Sequence, residues 1–124
     1  MTFAVRLLAA AAFVAASSTA RADGDTVRGE KKFEECAACH KLEKAADSVG
    51  PDLHGVFGRK AAGLVEFRYS PAMKRSGITW TPQTIDKFLT DPQVAVPANR
   101  MPYAGMTAAQ DRADLIAYLQ KTFK

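Results

Sequence analysis

Cys36-Ala37-Ala38-Cys39-His40 sets two thiols three positions apart, with an imidazole directly after them. On one turn of helix, two such thiols can reach the same planar molecule. The adjacent imidazole then lies beneath that molecule with a nitrogen free for a metal. These are the only two cysteines in the chain, and His40 is one of two histidines. The chemistry that uses this pattern is thioether attachment to the vinyl groups of a porphyrin, with the histidine ligating the iron. The pattern reads as a c-type haem site.

Two other chemistries compete for the same letters. A thioredoxin-like dithiol needs a strand-helix unit around it, and no βαβ pattern is visible. A structural zinc site needs four ligands. Cys36, Cys39, His40 and His54 could supply them, but their spacing matches no finger. Haem attachment accounts for the pentapeptide together with the rest of the chain.

A haem iron held by His40 has a second axial position, and its occupant separates electron transfer from chemistry at the iron. The candidates are Met73, Met101, Met106 and His54. Met101 lies in a proline-bounded loop, Val96 to Gly105, that can be held rigidly across a ring face. Met73 and Met106 adjoin helical patterns and suit packing. His54 sits between glycine-containing turns as a structural histidine would. A thioether at the sixth position is a soft donor that favours ferrous iron and leaves no open site.

The elements that must position these groups are helices, because no period-two alternation is visible. Asp25 or Thr26 caps a first helix running to about Ala38, with Gly29 and Phe33 on its inner face. Lys41 to Lys60 is irregular, punctuated by Gly50-Pro51, His54-Gly55 and Gly58. Ser70 to Ser76 forms a short helix ended by Gly77. Thr81 caps a helix that Pro82 opens and Pro92 closes near Thr90. Val94 to Gly105 reads as loop. Thr107 and Gln110 form a capping box for the last helix, whose apolar stripe is Leu115, Ile116, Leu119 and Phe123. The first and last helices are expected to pack together beside the prosthetic group.

The N-terminal part reads as an address. Arg6 precedes an apolar run from Leu7 to Ala16, too short to span a bilayer, and Ala20-Arg21-Ala22 is a small-x-small cleavage signal. Residues 1–22 are expected to be a secretory signal peptide, with an uncleaved anchor as the alternative. The mature chain, 23–124, is then one domain without a membrane span. Loss of Arg6 and Arg21 lowers the formal charge of +4 by two, and two haem propionates would bring it near neutral. With no basic cluster interleaved with aromatics, nucleic-acid binding is not expected. Export also explains the cysteines, since thioether bonds remove the fate of a disulfide in an oxidising compartment.

From Cys36 onward the chain resembles the class I c-type cytochromes, mitochondrial cytochrome c and its bacterial relatives. The matching text is CAACH, then Gly50 to Gly63 (GPDLHGVFGRKAAG), Tyr69-Ser-Pro-Ala, Gly77-Ile-Thr-Trp80, Arg100-Met-Pro-Tyr-Ala-Gly105 and Arg112 to Leu119. The resemblance implies an all-α fold, helices wrapped around one covalent haem c with the terminal helices crossing. It implies thioethers at Cys36 and Cys39, His40 as proximal ligand with its other ring nitrogen on the Pro51 carbonyl, and Met101 as distal ligand. Arg59, Tyr69 and Trp80 would hydrogen-bond the buried propionates or their network, and Gly29 and Phe33 would meet Leu115 and Tyr118. Three positions depart from the mitochondrial pattern: Met73 for an asparagine, Phe88 for a tyrosine and Asn99 for a threonine.

Fewer positive charges also stand around Met101 than the mitochondrial proteins carry, and Glu35 precedes the first cysteine where lysine is usual. The implied activity is one-electron transfer by a periplasmic monomer, not enzymatic turnover. Its partners would be a bc-type complex, a terminal oxidase, a photosynthetic reaction centre, a nitrogen-oxide reductase or a periplasmic dehydrogenase. The rival from another class is a haem enzyme or sensor with an open sixth position.

Overall fold

A computed structural model describes residues 23–43 and 47–124. The expected signal peptide, 1–22, lies outside the described residues. Five helices follow one another: α1 (Thr26–Ala37), α2 (Pro71–Arg75), α3 (Pro82–Thr90), α4 (Pro92–Ala95) and α5 (Ala109–Thr122). The rest of the described chain is turn and loop, apart from one isolated antiparallel bridge between Lys60 and Thr79.

Local chemistry sets most helix ends. The Asp25 carboxylate accepts from the backbone N–H groups of Val27 and Arg28, at 2.9 and 2.8 Å, and starts α1. Ser70 caps α2, and Gly77, at φ 67°, turns the chain away after it. Thr81 caps α3 through the Thr84 N–H, while Thr84 Oγ1 accepts from the Thr81 N–H at 2.7 Å. Threonine thus closes a reciprocal box that glutamate or glutamine usually supplies.

Two boundaries differ from expectation. The stretch after Thr90 is not loop throughout: Pro92 ends α3 and also opens α4, a single turn capped by Asp91 on the N–H groups of Gln93 and Val94. The capping box at Thr107 does not form. The N-cap of α5 is Ala108, which makes no side-chain bond. Asp114 claims one member of that box, and Arg112 holds the backbone just before the helix. Buried Arg112 donates to the carbonyls of Met106 and Thr107, both at 2.8 Å, and to Asp86 at 2.9 Å. Gln110, the other half of the expected box, donates instead to Asp114 at 2.9 Å.

The core lies where α1 crosses α5. Phe33, Val56, Ile85, Leu89, Met106, Leu115, Ile116, Tyr118, Leu119 and Phe123 form one buried cluster. The Phe33 ring sits 5.4 Å from Tyr118 and 5.3 Å from Phe123, both tilted. Close approach at the crossing requires Gly29, because a Cβ there would run into the Asp114 carbonyl and the Tyr118 Cβ. The whole expected stripe of α5 is buried, and Gly29 and Phe33 meet this helix as expected.

A polar knot fastens the same crossing. Asp114, 1% exposed, accepts from Arg28 Nε at 2.7 Å and Nη2 at 3.1 Å, and from the Asp25 N–H at 2.7 Å. Arg28 foremost, then the Asp25 amide and Gln110, holds the Asp114 carboxyl well below the usual carboxylate range against the opposing effect of burial. Lys32 and Asp111 add a second ion pair at 2.8 Å between the two helices.

Candidate haem site

α1 runs out at Ala37; its last turn carries Cys36, and Cys39 follows in the turn just beyond. The N–H groups of Cys39 and His40 both bond to the Cys36 carbonyl, at 3.1 and 2.8 Å, so Cys36, Cys39 and His40 share one tight turn. The chain then folds back beneath it. Gly50 N–H and Ser48 Oγ both donate to the Cys39 carbonyl, at 2.8 and 2.7 Å. This return places Pro51 so that its carbonyl lies 2.8 Å from His40 Nδ1. Proline offers no backbone N–H and a fixed φ, which suits it to presenting a carbonyl from a rigid turn. Gly50 is required here for space. A Cβ would come within 2.7 to 3.0 Å of three atoms of the His40 ring.

These contacts define what the group can do. An acceptor on Nδ1 keeps the proton there and leaves Nε2 with its lone pair outward, the form that binds a metal. Burial, the main cause, pushes the His40 pKa down, helped by the Arg59 charge and opposed by the Pro51 carbonyl. The imidazole is thereby kept neutral and ligand-competent. Cys36 is pushed up to about 11, by burial first and then by Glu35 and Cys39. A dithiol redox centre needs a thiolate at neutral pH, so the thioredoxin-like alternative does not fit Cys36. Among the described residues, no three His, Cys, Asp or Glu side chains converge on a position for a metal ion. The four-ligand zinc alternative therefore has no geometry either. Two half-buried thiols and an imidazole oriented through its Nδ1 fit a c-type haem.

Arg59 is tied to Trp80 through the backbone and stands near enough to Tyr69 for its charge to act there. Arg59 donates to the carbonyls of His54 at 3.1 Å and Asp52 at 2.7 Å, bracing the turn that carries Pro51. The Trp80 N–H bonds to the Arg59 carbonyl at 2.9 Å, and the Gly58 N–H to the Trp80 carbonyl at 2.7 Å. Trp80 lies edge-on to buried Phe88, with centroids 5.2 Å apart. Tyr69 stacks edge-on against Phe67 at 4.8 Å, and burial raises its pKa while the nearby Arg59 charge lowers it. Bracing of the Pro51 turn by Arg59 was not legible from the sequence, because the partners are main-chain carbonyls.

The four candidates for the second axial position separate. Met106 is core, its N–H on the Leu89 carbonyl at 2.7 Å. His54 is paired with Asp52 at 2.6 Å and packs edge-on against Phe123 at 5.0 Å. Met73 stands in α2, half-buried. Met101 is half-buried in the loop after α4, and its N–H bonds to the Asn99 side chain at 2.8 Å. Tyr103, two residues on, reaches Glu35 beside the first cysteine at 3.2 Å.

Comparison with known proteins agrees with this geometry. Residues 26–123 match the family model for cytochrome c. Cytochrome c2 of Rhodomicrobium vannielii is 42% identical over 117 residues, covering 94% of both chains. Cytochrome c of Euglena viridis is 43% identical, over 82% of this chain and 99% of its own. The solved structure of cytochrome cH from Methylobacterium extorquens superimposes with a TM-score of 0.74 at 41% identity, covering 79% of this chain and 99% of that one. Sequence, fold and the oriented imidazole beside two thiols converge: this chain belongs to the cytochrome c family, an electron-transfer protein with one covalently bound haem c.

Proposed function

We propose that the chain is a periplasmic one-electron carrier whose iron is held by His40 Nε2 and the Met101 sulfur. The observation that carries this reading is the 2.8 Å bond between His40 Nδ1 and the Pro51 carbonyl. It orients the imidazole and enriches its free nitrogen. Haem c, when bound, supplies the one-electron couple of its iron. The chain's own residues do the rest. Cys36 and Cys39 anchor the ring edge through thioethers. Arg59, Tyr69 and Trp80 receive the propionates. Met101 closes the distal side, so water and small ligands are kept from the metal.

Residues 1–22 direct export and are removed before Asp23. None of the helices among the described residues is long and apolar enough to cross a membrane, in keeping with a carrier that diffuses between partners. Those partners are redox proteins: a bc-type complex, a terminal oxidase, a reaction centre, a nitrogen-oxide reductase or a periplasmic dehydrogenase. Glu35 and a sparse set of positive charges around Met101 favour docking that depends little on charge steering. A steep fall of partner reduction rate with ionic strength would contradict that.

The test of the ligand set is the ferric spectrum. The near-infrared sulfur-to-iron charge-transfer band is expected in the purified holoprotein and is lost in Met101→Ala. A band that survives Met101→Ala, or a wild-type iron that rapidly binds added azide, overturns the assignment and favours a haem enzyme or sensor. Recovery of the holoprotein from the cytoplasm with residues 1–22 intact would overturn the location.

A further inference from the structure

Asn99 is 8% exposed and uses every polar group it has. Its side-chain NH2 donates to the carbonyls of Pro92 at 2.7 Å and Val96 at 2.9 Å. Its side-chain oxygen accepts from the Met101 N–H at 2.8 Å. Its own N–H bonds to the Val96 carbonyl at 3.1 Å, and its carbonyl accepts from Gln93 Nε2 at 3.2 Å. One amide therefore links α4 and the residue just after it to the backbone of Met101. The preceding residue, Ala98, stands at φ 66°, a left-handed conformation that alanine adopts only when its neighbours impose it.

We propose that Asn99 is a positioning residue for the distal loop: its side-chain amide ties the Met101 backbone to α4 and so fixes where the methionine sulfur is presented. The inference rests on Met101 being the distal ligand. A buried amide with two donors and one acceptor satisfied behaves as a rigid strut, because releasing any one bond strands a desolvated group. Moving the Met101 backbone to withdraw its sulfur would stretch or break the bond from its N–H to Asn99. An added ligand that competes with the methionine therefore works against this bond. Removing the amide removes that resistance without touching the sulfur.

The experiment uses ferric holoprotein and imidazole as the competing ligand, with Asn99→Ala set beside Asp91→Ala. Asp91 caps the same α4 turn but makes no bond to Met101, so it controls for a general loosening of the helix. Asn99→Ala is expected to raise imidazole affinity roughly tenfold, as befits loss of one buried hydrogen bond with its partners stranded. Asp91→Ala is expected to change it by less than about threefold at a comparable loss of global stability. Equal effects in the two variants overturn the proposal.

Hydrogen exchange in the ferrous wild type gives a second measurement if Asn99→Ala fails to fold. The Met101 amide is expected to be protected, and exchange at the rate of an unstructured peptide overturns the proposal. A wild-type ferric protein without the sulfur-to-iron band overturns the Met101 assignment itself, and this inference with it.

Discussion

Tyr103 donates a hydrogen bond to Glu35 at 3.2 Å, joining the segment after Met101 to the residue before Cys36 across 68 positions of sequence. The two strands of chain that carry the thioether cysteines and the distal methionine are thus in direct contact at the surface. The phenol is pushed up to about 12, first by burial, then by the Glu35 charge and by the bond to it. Glu35→Gln is expected to lower the Tyr103 titration only part of the way toward the ordinary tyrosine range, because burial remains. Ultraviolet titration, with Tyr103→Phe as the reference, reads it. A Tyr103 titration unmoved by Glu35→Gln would show that the contact is absent in solution.

Asp114 makes the α1–α5 crossing sensitive to acid. Its carboxyl titrates lower in the folded chain than in the unfolded chain, so its contribution is fully present above the unfolded value of about 4. That contribution is lost as pH falls through the folded value. Asp114→Asn is expected to be less stable than wild type at neutral pH, with the gap narrowing as the solution is acidified below about pH 4. Guanidinium unfolding at pH 7 and pH 3 measures it. A gap that is constant or widens with acid would place the ionised carboxylate outside the stabilising network.

Ala98 and Ala62, at φ 66° and 60°, are the non-glycine residues with positive φ among the described residues. Glycine relieves the clash of Cβ with the following carbonyl but adds freedom to the unfolded chain. Relief is the larger effect, so Ala98→Gly is expected to stabilise by up to about 1 kcal/mol. A glycine at exposed Ala104 should be neutral or unfavourable. Loss of stability in Ala98→Gly, read by the unfolding midpoint, would contradict the left-handed assignment.

Gly29 admits no side chain. A Cβ there collides with main-chain and Cβ atoms of α5, which cannot rotate away. Gly29→Ala is expected to cost about 3 kcal/mol, the upper range for overpacking. Gly55→Ala, at φ 67° with open space around it, should cost only about 1 kcal/mol for its backbone conformation. Equal costs at the two sites would mean that the helices separate freely at the crossing.

Features set by near neighbours were legible in the sequence. Thr81 caps as expected, and Asp25 takes the cap that Asp25 or Thr26 was expected to fill, because a cap needs only the next turn. CAACH announces its chemistry because a thiol pair and an imidazole must be adjacent to serve one ring. The stripe from Leu115 to Phe123 is buried because periodicity and core face coincide.

What escaped is set by partners far along the chain. Gln110 was expected to cap α5, yet buried Asp114 claims it, and nothing local signals that Arg28 and Asp25 have brought that carboxylate to the crossing. Asn99 registers in the sequence only as a departure from a family pattern. Its three side-chain bonds need α4, itself hidden by a proline that reads equally as an end and as a beginning.

The docking of α1 on α5 sets an order of events in the life of the polypeptide. Phe33 has its ring partners at Tyr118 and Phe123, far along the chain from it. Until α5 has emerged, the helix that carries Cys36 lacks the partner it packs against. That interval leaves both sulfurs open to whatever machinery installs the porphyrin. A chain trimmed before Ala109 would lengthen the interval indefinitely, harming the first helix by removing the last.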